Sequence, residues 1–267
     1  MSQFRDLALE ILMSPASLVI DRRFCGPPNS GNGGYTCGRL AAFIDGPAEV
    51  TLRSPPPLDE ALSIERAPDS SVRLRSARNG QFIGEARPVS FEPVDIQPVS
   101  AVLAAEAASR TFPPGSHPLP GCFVCGPARD VGDGLRIHAG PVGTADPDWT
   151  GPVAAPWVPD QSLTDEDGIV RIEFLWAALD CPTAFAVSSG SGMRIILLGR
   201  QAVRVHARPA GGDACVVVAH RRGREGRKFF ADAALFADDG SLLAECHALW
   251  IEVSRDVQRG AQRKSAT

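Results

Sequence analysis

The sequence predicts an α+β protein in which two antiparallel sheets each wrap around a central helix. Three observations carry this. A hairpin sequence near residue 80 returns near residue 240. A helix followed by an antiparallel meander occurs twice along the chain. The composition, 44% hydrophobic and 22% charged over 267 residues, suits a chain that buries a substantial core.

The repeated hairpin is the sharpest of the three. Asn79-Gly80-Gln81-Phe82-Ile83-Gly84-Glu85 and Asp239-Gly240-Ser241-Leu242-Leu243-Ala244-Glu245 align without a gap, and the alignment runs on to Glu92 and Glu252. Asn-Gly and Asp-Gly make tight hairpins because both turn residues tolerate positive φ. In the first half the pattern predicts a strand over 17–24, a Gly/Pro/Asn loop and a helix over 34–44. Strands at 48–53, 61–66, 72–77 and 82–91 follow. The second half predicts a short strand at 134–138, a long Pro-rich loop and a helix over 172–187. Strands at 194–208, 215–219, 228–236 and 242–253 complete it. Each helix is apolar enough to need a sheet to bury against.

The join, 92–120, holds a helix candidate at 99–110 that ends before Pro113-Pro114-Gly115. Residues 1–13 read as an amphipathic helix with Phe4, Leu7, Ala8, Ile11 and Leu12 on one side. The expected division is an N-terminal unit over 1–112 with its leading helix and linker, a C-terminal unit over 113–255, and a disordered polar tail over 256–267.

Charge and cysteine usage narrow the function. A net charge of −4 provides no basic field for nucleic acid. No apolar run reaches the roughly 20 residues that span a bilayer, and the N-terminus lacks the pattern of a secretory leader. Seven dispersed cysteines do not form a disulfide framework, so reduced thiols in the cytoplasm are expected.

Four features carry candidate chemistry. Asn32-Gly33-Gly34 opens the first helix. First-turn amides have no intrahelical acceptor, and glycines let a ligand oxygen reach them, as in an oxyanion hole; equally, Asn32 is a good cap and the glycines a turn. Asp180 sits in the apolar segment Phe174-Leu175-Trp176-Ala177-Ala178-Leu179-Asp180-Cys181, where an acid is either functional or turned to solvent. Cys122-x2-Cys125 lacks a second close pair, so no metal is expected there, and Cys181 reads as a small buried hydrophobe. The basic run 220–228, with Arg222 and Arg224, falls at a hairpin turn and either grips phosphate or is solvated. Tyr35 and Trp176 are candidates to line a substrate groove.

Gly121-Cys122-Phe123-Val124-Cys125-Gly126-Pro127, running on to Gly134-Leu135-Arg136-Ile137, resembles the opening of many hotdog-fold thioesterase-like proteins. Asn32-Gly33-Gly34-Tyr35 resembles the His-Gly-Gly helix start of phenylacetyl-CoA-type hotdog thioesterases, with Asn in place of His. Trp176-Ala177-Ala178-Leu179-Asp180 resembles the acid-bearing middle of that helix. The resemblance implies a double hotdog and an acyl-CoA thioesterase. Its only cofactor is the coenzyme A carried by the substrate, and the dimer of single-copy relatives is supplied within one chain. Further association of such fused units is left open.

In that family the acid lies nine residues beyond the His position. Nine beyond Asn32 is Ala41, and nine before Asp180 is Arg171. The resemblance therefore implies one composite site, with Asn32, Gly33, Gly34 and Tyr35 from one half and Asp180 and Trp176 from the other, and one degenerate site. Asp180 would serve as base or nucleophile, Gly34 as oxyanion donor and Asn32 as a positioning group. A non-catalytic acyl-thioester binder is the main rival. An enoyl-CoA hydratase or dehydratase, which pairs an acid with a His, is less well matched, since the nearest downstream histidine is His206.

Overall fold

The computed structural model describes residues 17–111, 115–143, 149–188 and 195–253. The expected helix at 1–13, the 112/113 boundary and the tail lie outside them. Among the described residues eleven antiparallel strands form one sheet, rather than the two expected. The strands are β1 (Ser17–Val19), β2 (Ala48–Leu52), β3 (Ala61–Arg66), β4 (Val72–Ser76), β5 (Phe82–Pro88), β6 (Gly140–Pro141), β7 (Val153–Trp157), β8 (Ile196–Val205), β9 (Cys215–Glu225), β10 (Lys228–Ala237) and β11 (Leu242–Glu252). Their order is β1-β3-β4-β5-β2-β8-β11-β10-β9-β7-β6.

The sheet is continuous because β2 pairs with β8, Ala48 opposite Val203 through Thr51 opposite Arg200. That pairing satisfies two strand edges that would otherwise stay bare. On either side of this seam the strands run in the same order, and both outer edges are very short, three residues in β1 and two in β6.

Helices α1 (Gly33–Ala41) and α3 (Ile172–Ser188) lie on one face of the sheet and pack on each other. Gly34 and Gly38 make their close approach possible, since a Cβ at Gly38 would stand 2.6 Å from the Cα of Glu173. The two Asx hairpins form as expected. Gly80 and Gly240 have φ of 73° and 82°, and the Asn79 and Asp239 side chains each accept the amide two residues on.

Two departures have clear causes. The Pro-rich loop hides β7, where Val153-Ala154-Ala155-Pro156-Trp157 pairs with β9, while residues 134–138 form no strand. The basic run continues β9 to Glu225, because Gly226 (φ 57°) and Arg227 form the two-residue turn into β10.

The linker does more than join. Its helix α2 (Ala101–Ala108) and the preceding segment cover the opposite face of the sheet over β7, β9 and β10. There Ala104, Ala107, Val94 and Ile96 pack with Val216, Val218, Ala234 and Phe236 in a second core. This explains why residues 229–236 of β10 are buried almost without alternation.

Candidate functional site

The start of α1 is built by its loop. The Asn32 amide donates to the Phe24 carbonyl at 2.8 Å and the Gly31 amide to Pro56, which fixes the approach to the helix. Asn32 caps it, its Oδ1 accepting from the Tyr35 amide at 2.8 Å. Asn32 Nδ2 is thereby turned toward α3, where it donates to Oδ2 of Asp180 at 2.7 Å. The Gly34 amide donates to the same oxygen at 3.1 Å.

Asp180 is 1% exposed, and its Oδ1 has no hydrogen-bond partner among the described residues. Burial pushes its pKa up to about 7, against the lowering pull of the Gly34 amide and Asn32, and nearby Cys122 adds to the rise. The helix end contributes an amide and the positive pole of its dipole to this carboxyl. Behind it, Thr183 donates to the Asp180 carbonyl at 2.6 Å and receives the Trp250 indole N–H at 2.8 Å. Helix α3 runs through Pro182 without interruption, although Pro182 has no amide to give the Ala178 carbonyl.

The remaining sequence candidates separate. A Cβ on Gly33 would meet Leu198 at 2.9 Å, so Gly33 serves packing against β8. The buried Tyr35 ring stacks on Phe24 at 4.1 Å, beside Phe123 and Phe174, and its hydroxyl receives Arg39 at 3.0 Å. Trp176 is buried, and its carbonyl accepts from Gln201 Nε2 at 3.0 Å. Gln201 was not singled out from the sequence; a lone amide between the apolar positions of β8 is the signal that marks it. Gly38 was missed as well, although its spacing of four from Gly34 puts both on one helix face.

Arg222 pairs with Asp232 and His247, on the face of the sheet away from α3 and Asp180. Arg224 stays at the hairpin turn, bonded to the Gly226 carbonyl and set over the Phe229 ring at 4.8 Å. His206 is held by Glu245 at 2.7 Å and is not a partner of Asp180.

At the other end of the helix pair, a cavity of about 480 Å³ is lined by Ala41, Ile172, Trp176, Val203, His206 and Arg208 among others. No acid stands among its lining residues. A second cavity of similar volume lies across the sheet beside Arg222, His247 and Phe91.

No family model and no curated protein sequence matches the chain. Solved structures do. A protein with a hot dog fold from Alicyclobacillus acidocaldarius is 16% identical, covers 89% of this chain and 92% of its own, and superposes with a TM-score of 0.57. The tesB protein of Mycobacterium avium subsp. paratuberculosis is 12% identical over 84% of this chain and 88% of its own, with a TM-score of 0.54. A provisionally assigned thioesterase from Novosphingobium aromaticivorans is 12% identical over 89% and 95%, with a TM-score of 0.53. At these identities the likeness establishes the architecture alone: the chain has a hotdog fold.

Proposed function

We propose that the protein hydrolyses an acyl thioester of the acyl-CoA class at one composite site, where Asp180 of α3 meets the start of α1. One observation carries this reading: a fully buried carboxyl bridges the Gly34 amide and Asn32 and keeps a second oxygen unspent. The hotdog fold, shared with the provisionally assigned thioesterase, agrees with it. In the ligand-free arrangement Oδ2 occupies the Gly34 amide. A thioester carbonyl would take over that amide, which then stabilises the oxyanion as charge develops. The displaced carboxylate, still held by Asn32, either takes a proton from the attacking water or attacks the carbonyl carbon itself. By the first route the proton passes from Asp180 to the thiolate as the C–S bond breaks; by the second the thiolate leaves an acyl–Asp180 anhydride, which water hydrolyses to free the acid, a proton of that water going to the thiolate. Asp180→Asn removes the base but almost no volume, so turnover of an acyl-CoA panel should fall ~10²–10⁴-fold with the fold intact by circular dichroism. Unchanged thiol release would end the proposal.

A second reading has its own observation. The cavity bordered by Ala41 and Ile172 lies at the acid-free end of the helix pair, which suits holding an acyl group without chemistry. Ala41→Trp would take up part of it. Loss of acyl-CoA binding in that variant, in a protein that never turns substrate over, would favour the binder.

A further inference from the structure

The sulfurs of Cys122, Cys125 and Cys181 lie within 4.8 Å of one another, all three residues buried, and the Cys122 and Cys181 sulfurs are 3.8 Å apart. Sulfurs that share a zinc ion at ~2.3 Å are ~3.8 Å apart in tetrahedral geometry and ~4.0 Å apart in trigonal geometry. The trio therefore needs shifts of no more than ~1 Å to close around one ion.

The loop that carries two of the three is a tight turn that holds both cysteines in place. The Gly126 amide returns to the Cys122 carbonyl at 2.8 Å. A Cβ at Gly126 would stand 2.4 Å from that carbonyl and 2.5 Å from that of Pro120, so the turn closes only with glycine. Both sides of the loop are pinned, Phe123 to the Cys25 carbonyl and Ile137 to that of Val124, each at 2.8 Å. The third sulfur comes from α3, 56 positions after Cys125, which is why the spacing of the first two in the sequence concealed it.

We propose that Cys122, Cys125 and Cys181 bind one thiophilic d10 metal ion, zinc or copper(I), that ties loop 121–126 to α3. Binding releases the thiol protons and adds a cross-link the unfolded chain lacks. Three thiolates satisfy copper(I). Zinc would take a fourth donor from outside the trio. The inference requires no thioester chemistry and stands or falls apart from it.

The test uses the full chain, reduced and stripped of metal, titrated with cobalt(II). One equivalent should bind with an intense thiolate-to-cobalt charge-transfer band, which histidine or carboxylate sites do not give. Displacement of cobalt by zinc assigns zinc; retention of copper(I) against a copper(I) chelator assigns copper. Cys122→Ser, Cys125→Ser and Cys181→Ser should each lose the band, while Cys37→Ser keeps it. The wild-type unfolding midpoint should rise with zinc, and that of Cys181→Ser should not, which gives a second readout if a loop variant misfolds. Absence of the band in folded, reduced wild type would overturn the proposal. So would a band that survives all three substitutions, or isolation of the reduced-handled protein with a Cys122–Cys181 disulfide and no metal capacity.

Discussion

Gly34 has no room for a side chain. A Cβ there would stand 2.5 Å from the Cβ of Asp180 and 2.8 Å from the Trp176 carbonyl. Gly34→Ala should destabilise the protein by about 1–3 kcal/mol in urea unfolding, the usual cost of overpacking a tight contact, and Gly38→Ala should do the same. Gly223→Ala, where nothing lies within 4 Å, is the control and should stay within about 0.5 kcal/mol. If all three behave alike, close helix contact is not what requires these glycines. At this scale Asp180 stood out in the sequence because an acid in an apolar helix has few bland explanations. Its hydrogen bonds to Asn32 and Gly34 were not legible, because they join residues 148 and 146 positions apart. The third cysteine escaped for the same reason.

The linker is the element whose importance the sequence conceals. It was readable as a polar-apolar helix, but not as the cover of a sheet face, since burial under a neighbour leaves no periodic mark on a run of alanines. Polar groups bind it down. Glu245, 1% exposed, accepts the Val94 amide at 2.8 Å and is paired with Arg204 and His206. Glu245→Ala leaves Arg204 without its partner and should cost about 3 kcal/mol, the low end for a buried pair because Arg204 keeps some solvent. Hydrogen exchange at Val94 should rise with it; protection equal to wild type would mean the strap is held by its apolar contacts alone. His247 adds a pH dependence. Its ring nitrogens face Asp232 at 2.6 Å and the Glu92 carbonyl at 2.8 Å, it stacks on Phe91, and Arg222 opposes its charge. The Asp232 hydrogen bond is the largest influence and lifts its pKa above the ordinary 6.5, against the opposing effect of burial. The charged form is therefore favoured by folding, and its contribution is complete below the ordinary value and fades as pH rises through the lifted one. The urea midpoint should decline over that rise, and His247→Gln should flatten the decline.

For the molecule as a whole, the β2–β8 seam makes the two runs of strands one sheet. Unfolding should then be a single transition. All four tryptophans, at 149, 157, 176 and 250, lie beyond the linker, whereas far-ultraviolet circular dichroism reports every strand. Tryptophan emission and circular dichroism should therefore give coincident urea curves; separated midpoints would show halves that fold on their own. The helix-then-meander order was legible twice over from local patterning. The seam was not, because β2 and β8 each read as an ordinary strand and nothing local names a partner so far away.

That separation has a consequence during synthesis. Thr51 pairs with Arg200, so β2 leaves the ribosome about 150 positions ahead of the strand that completes it. At ~5–20 residues per second the wait is on the order of ten to thirty seconds. Any N-terminal sheet that forms in that interval presents β2 as a bare edge, and the Gly34–Gly38 face of α1 has nothing to pack on. A second nascent chain at the same stage offers the same open strand, so on crowded polysomes the competitor for β2 is another copy of itself, and slow passage through residues 196–205 is when exchanged dimers would form.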